Sequence, residues 1–141
     1  MSRRRAREVA MQALFQLEIN QPERDGQEEE VEEKALTSAW SEGESLPDFD
    51  RGFARGLVGG VRMHLPEIDA AITEQSRDWK LERMSSIDRN ILRVAVYELR
   101  FGPKDVTPGI VINEAVELAK KFGTDDSSRF VNGVLGAMVK A

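Results

Sequence analysis

The stretch TPGIVINEAVELAKKFG, residues 107–123, reads as a complete helix with both ends marked. Thr107 is a residue type that caps helix starts, because its hydroxyl accepts from backbone N–H groups that have no partner in the first turn. Pro108 suits the first helical position, where its missing N–H costs nothing, and Gly123 stands where helices commonly close. Between these marks Val111, Ile112, Ala115, Val116, Leu118, Ala119 and Phe122 cover most of the helical surface. A helix apolar on most sides is predicted to be central.

The neighbouring segments follow the same period. Upstream, Ser85 or Ser86 begins a helix through Phe101 with Ile87, Ile91, Val94, Ala95 and Leu99 apolar, and Gly102-Pro103 stops it. Downstream, Asp125 or Asp126 opens a last helix carrying Phe130, Val131, Val134, Leu135 and Met138. Pro66 fits the first turn of a helix over roughly Leu65 to Trp79. Before it, Asp50 is placed to cap a helix running to about His64, with Phe53, Leu57 and Val61 in one stripe. Gly52, Gly56 and Gly60 form another stripe; each costs about 0.8–1.0 kcal/mol against alanine, so their spacing predicts a close crossing with a neighbouring helix. The first helix, from Arg3 to Asn20, places Ala6, Ala10, Ala13, Leu14 and Leu17 on one face, and Phe15 opposite, near Met11 and Arg4.

No segment alternates as a strand would. The expected fold class is all-α, with about seven helices in two packed helical subdomains. Residues 1–80 form the N-terminal subdomain with the basic first helix, residues 81–141 the C-terminal one, together one compact domain. At 141 residues, without cysteine, the chain is long enough to fold on its own core; no disulfide or Cys-based zinc site is needed. Neither a signal peptide's apolar run nor a membrane-length one occurs, so a cytoplasmic location is expected.

The net charge of −5 is unevenly spread. Residues 1–17 carry Arg3, Arg4, Arg5 and Arg7 against Glu8. Residues 18–50 hold twelve acids against Arg24 and Lys34, and from Arg51 onward the balance is +2. One acidic segment therefore sets the sign, and its field fades within about 8 Å at physiological salt. That segment, residues 21–47, is expected to be a solvated, mobile stretch with a short helix around Glu28–Lys34.

Enzyme signatures are absent from the pattern. His64 is the only histidine, at a helix end, with no G-x-S-x-G turn. The run Gly56–Gly60 lacks the ending of a phosphate loop, and no Glu-x-x-His pair offers a metal site. Binding is the expected activity, with no cofactor and no catalytic residue. Four arginines in five positions at a helix start are electrostatically unusual, since cations belong at helix C-termini. They read either as a solvated terminus or as an arm gripping phosphate. On the second reading Gln12 offers an amide edge and Phe15 a stacking ring to an unpaired base, although burial against a neighbouring helix is the plainer role for Phe15. Lys120, Lys121 and Arg129 form a second basic cluster around Phe122-Gly123. Four phosphate contacts on a single strand give a salt slope of about −3, a roughly 50-fold loss between 50 and 200 mM. Such an arm needs a partner to share the RNA.

Three stretches carry a resemblance. Arg3-Arg4-Arg5-Ala6-Arg7-Glu8 with Gln12-Ala13-Leu14-Phe15, the segment Ile87–Leu99 (IDRNILRVAVYEL), and Val111–Leu135 (VINEAVELAKKFGTDDSSRFVNGVL) resemble the NusB family of bacterial transcription antitermination factors. The likeness spans the chain apart from residues 21–47. It implies binding of boxA, single-stranded ribosomal or phage RNA, together with NusE, a ribosomal small-subunit protein, in a complex joining other Nus factors on RNA polymerase. It further implies RNA contacts from Arg3, Arg4, Arg5, Arg7, Gln12, Phe15, Lys120, Lys121, Phe122 and Arg129, and a NusE interface at Asp88 and Asp126. Phe15 stands where many members carry tyrosine. Asn132 and Gly133 are read as structural, Asn132 satisfying buried backbone groups and Gly133 permitting close packing. A homodimer of the free protein stays open, as do two other functions: the NusB-like RNA-binding module of an RNA methyltransferase system, and a helical scaffold that binds only protein.

Overall fold

The computed structural model describes residues 3–20, 28–41, 48–76, 83–103 and 106–140. Among these residues there are seven α-helices and no strand: α1 (Arg4–Asn20), α2 (Glu28–Ser41), α3 (Asp48–Met63), α4 (Leu65–Gln75), α5 (Ser86–Phe101), α6 (Pro108–Phe122) and α7 (Ser127–Lys140). They fall into two compact units, Met1–Arg62 and Met63–Ala141.

In the first unit α2 packs along α1. The apolar stripe of α1 is buried as its period requires, but Val9 and Met11 are fully buried as well, so more than one side of this helix is covered. Residues 28–41 of the acidic segment depart from expectation, while residues 21–27 and 42–47 lie outside the described residues. Rather than a solvated stretch, α2 is a 14-residue helix that buries Ala35, Leu36 and Ala39. Three apolar residues at i, i+1 and i+4 suffice to seat a helix whose other positions are charged. Its carboxylates hold α3: Glu33 accepts two bonds from Arg55, at 2.7 and 2.9 Å, and Glu32 accepts from Arg62 at 3.1 Å. Helix α3 begins at Asp48, so Asp50 lies inside its first turn and is buried instead of serving as the cap. Ala54, Leu57, Val58 and Val61 face inward. At Gly52 and Gly56 the predicted close crossing is not found: both are exposed, and a Cβ at either would meet nothing within 4 Å.

In the second unit α5 contacts α4, α6 and α7, and α4 and α6 each contact α7 as well. A division at residue 80 assigns α4 to the N-terminal half. In the structure α4 buries Ile68, Ala71 and Ile72 and packs on α5 and α7, so it groups with the C-terminal helices. It ends at Gln75, and Trp79 lies outside the described residues. Ser85 caps α5, its Oγ accepting from the Asp88 N–H at 3.1 Å, and Thr107 caps α6, accepting from Ile110 at 3.4 Å. Helix α6 buries Val111, Ala115, Leu118 and Ala119 against α5 and α7, but Ile112, Val116 and Phe122 are only half-buried and Ile110 is exposed, so it is less enclosed than its composition predicts; α5 and α7 each contact three helices. Asn132 and Gly133 are exposed on α7, with nothing within 4 Å of a Cβ at Gly133, so neither the buried position expected of Asn132 nor the close packing expected at Gly133 is present. His64 is more than a surface helix end: its ring stacks on Phe101 at 4.0 Å between centroids and 13° between planes.

Candidate nucleic-acid interface

The first basic element belongs to α1 and the residue before it. The four arginines are not equivalent. Arg4 is exposed, Arg3 and Arg5 are half-buried, and Arg7 is 5% exposed. Arg5 donates to Glu8 Oε1 at 2.9 Å and to the Ala39 carbonyl of α2 at 3.4 Å. Arg3 and Arg7 both lie against the ring of Phe53 on α3, their guanidinium carbons 4.3 and 5.4 Å from its centroid. This explains how cations are tolerated at a helix N-terminus: ring faces, a carboxylate and a carbonyl offset the unfavourable end of the helix dipole. The burial of Arg7 also removes it from direct reach of a phosphate in this conformation. Phe53 had read as one member of an apolar stripe, and nothing in its spacing marks it as the seat of two cations.

Gln12 and Phe15 are both half-buried. The amide oxygen of Gln12 is turned inward and buried without a hydrogen-bond partner. The amide edge expected to read a base is therefore only partly offered to solvent. Phe15 keeps part of its surface open, as a stacking ring requires.

The second basic element is the α6–α7 turn. Thr124 N–H donates to Ser127 Oγ at 2.9 Å and Ser127 N–H donates to the Thr124 carbonyl at 3.1 Å, closing the connection tightly. The turn brings the end of α6 beside the start of α7, so Lys120, Lys121, Phe122 and Arg129 share one region, as the sequence predicts. Lys120, Lys121 and Arg129 are exposed, and Lys121 Nζ lies 5.2 Å from the centroid of half-buried Phe122. Their ion pairs are local and loose: Lys120 to Glu117 at 4.0 Å, and Arg129 to Asp126 at 3.0 Å with both side chains more than four-fifths exposed. Exposed pairs of this kind are worth about 0–1 kcal/mol, so the cations can be handed to another anion at little cost.

Asp88 and Asp126 belong to this unit too. Asp88 is in the first turn of α5, and its Oδ1 is buried without a hydrogen-bond partner. The Asp126 carbonyl accepts from Phe130 N–H at 3.0 Å, which places Asp126 at the mouth of α7. Among the described residues no group of three or more His, Asp or Glu side chains could hold a metal ion, and no helix is long and apolar enough to cross a membrane.

The NusB family model matches residues 4–140. The chain belongs to the NusB family. It is 46% identical over 144 residues to the transcription antitermination protein NusB of Myxococcus xanthus (strain DK1622), covering 99% of this chain and 96% of that protein. Against the NusB of Symbiobacterium thermophilum it is 44% identical over 140 residues, covering 99% and 90%. Among solved structures, T. maritima NusB matches with a TM-score of 0.84 at 36% identity, covering 99% of this chain and 92% of the other. A crystal structure of the antitermination factors NusB and NusE in complex with dsRNA matches with a TM-score of 0.81 at 28% identity, covering 98% and 96%. The NusB likeness thus extends over the whole chain, including the acidic segment where the sequence resemblance was poor.

Proposed function

We propose that this chain is a transcription antitermination factor that binds single-stranded boxA RNA jointly with NusE and joins the other Nus factors on RNA polymerase. It acts in the cytoplasm and performs no chemistry of its own. The observation that carries the reading is the NusB fold along the full chain, shared with a NusB solved together with NusE and RNA. Two basic elements on that fold supply the chemistry.

Arg3 just before α1 and Arg4 and Arg5 on it, with Lys120, Lys121 and Arg129 at the α6–α7 turn, neutralise phosphates. Phe15 and Phe122 offer rings to unpaired bases, and Gln12 an amide. Arg7, being buried, supports this arm from within the unit. Asp88, half-buried in the first turn of α5, and exposed Asp126 at the mouth of α7 meet NusE.

The test is RNA affinity measured with and without NusE, for boxA and for a scrambled RNA of the same composition. Tighter binding of boxA when NusE is present is expected. Equal affinity for the two RNAs in the presence of NusE would sink this reading and favour a scaffold that binds only protein.

A further inference from the structure

We propose that Phe53 positions the arginine arm: its ring fixes the guanidinium of Arg3, with Arg7 held inside the unit beside it, in the orientation that meets RNA phosphate. The inference rests on the RNA-binding reading above.

Arg3 and Arg7 are one helical turn apart, joined by the bond from Arg7 N–H to the Arg3 carbonyl at 3.0 Å. Two like charges at this spacing repel each other, and both oppose the positive end of the α1 dipole. Left to themselves such side chains would splay into solvent. Here both converge on one ring of α3, at 4.3 and 5.4 Å. The negative face of an aromatic ring attracts a cation without neutralising it, which a carboxylate in the same place would do. The ring thus restrains the guanidinium of Arg3 without itself cancelling its charge.

Their burial assigns different parts to the two arginines. Arg7 is almost wholly enclosed, so its charge is a fixed element of the unit. Arg3 is half-buried, at the very start of α1, and retains surface for a ligand. Arginine carries large rotamer entropy, and a side chain already held in place loses less of it on binding. Phe53 is half-buried itself, and with a guanidinium over it the ring serves the arginine rather than a base.

The experiment is a double-mutant cycle on the full chain, read as affinity for labelled boxA RNA with NusE present, from 50 to 200 mM salt. Phe53→Leu keeps an apolar side chain but removes the ring. It is expected to weaken binding about 5-fold at the low-salt end. The salt slope should flatten by about one unit, as if one phosphate contact were lost. Arg3→Gln should do the same, and the double variant should be no weaker than Arg3→Gln alone. Phe53→Trp, whose larger ring face holds a cation more strongly, should bind more tightly than wild type. An unchanged affinity and slope in a folded Phe53→Leu protein would overturn the proposal, as would losses from the two single variants that simply add. If Leu at 53 prevents folding, Phe53→Trp carries the test: tighter binding that Arg3→Gln abolishes supports the role, and binding equal to wild type overturns it. If instead the wild-type protein shows no salt-dependent RNA binding, the RNA-binding reading itself falls.

Discussion

Arg93 on α5 grips Asp69 on α4 through two parallel hydrogen bonds, Nε to Oδ1 and Nη2 to Oδ2, each 2.9 Å long. The side chains are 13% and 22% exposed. A third donor of the guanidinium reaches Asn90 Oδ1 at 3.2 Å, and Asn90, fully buried, donates in turn to the Ser86 carbonyl at 2.9 Å. The fork therefore ties α4 into a satisfied network rather than standing alone. Asp69→Ala strands a largely buried guanidinium and should cost about 2–3 kcal/mol. For a chain of this size that corresponds to a melting temperature roughly 6–9 °C lower. Arg93→Lys keeps the charge but not the fork, and should fall between. Thermal unfolding followed by circular dichroism measures both; an Asp69→Ala protein that melts with the wild type would show the fork to be energetically idle.

The Glu33–Arg55 pair behaves differently because it is open to water, with side chains about half exposed. Hydrogen bonding from Arg55 holds the Glu33 carboxyl below its ordinary value, and the same bond raises Arg55. A carboxylate with a depressed folded-state pKa stabilises the fold above its unfolded value, near 4.3, and that contribution is lost as pH falls through the folded value. Exposure limits the gain to under about 1 kcal/mol. Glu33→Gln should be slightly less stable than wild type at pH 7, and the gap should shrink as the pH is lowered below about 4. Urea melts at pH 7 and pH 3 decide it, and a gap of the same size at both values would rule out an ionised Glu33 as its source.

The helices of the second unit were legible because their signals are local: Ser85 and Thr107 cap with their own hydroxyls, and most apolar positions read on α5, α6 and α7 are buried, although fully buried Leu92 and Val96 lay outside the α5 stripe. The turn that gathers Lys120, Lys121, Phe122 and Arg129 was legible for the same reason, being fixed by chain neighbours. What escaped were contacts between helices distant in sequence. Nothing in a run of glutamates shows that Glu32 and Glu33 will find Arg62 and Arg55, or that Ala35, Leu36 and Ala39 are enough to seat α2. The inequality of the four arginines likewise depends on Phe53, 46 residues beyond Arg7. The glycines misled in the opposite sense, since a small residue permits a close crossing without requiring one.

Gly123 closes α6 for a reason other than the usual one. Its φ is −94° and ψ −166°, an extended conformation open to any residue, so no left-handed turn is involved. What excludes a side chain is space: a Cβ would collide with Oγ and Cβ of buried Ser127 and lie 2.8 Å from the Ala119 carbonyl oxygen. Gly123→Ala must push the start of α7 away and should cost about 1–3 kcal/mol. The same displacement moves Arg129 relative to Lys120 and Lys121, so RNA affinity should fall together with stability. Loss of stability with RNA binding fully retained would argue that the basic turn is not part of the RNA grip.

Asp126 and Arg129 are joined by a 3.0 Å bond in which both partners face water. A pair so exposed contributes about 0–1 kcal/mol, so reversing one charge leaves the fold standing. On the proposed assignment the two members serve different ligands, Asp126 meeting NusE and Arg129 the RNA. Asp126→Lys should then weaken NusE binding about tenfold, the cost of setting a cation where the partner expects an anion. It should also strengthen RNA binding by the chain alone, because a fourth cation joins Lys120, Lys121 and the released Arg129. Calorimetry with NusE and salt-dependent RNA titrations separate the two effects at matched melting temperature. NusE affinity equal to wild type would remove Asp126 from the interface, whereas a loss of both ligands would place the two binding surfaces on the same side chains.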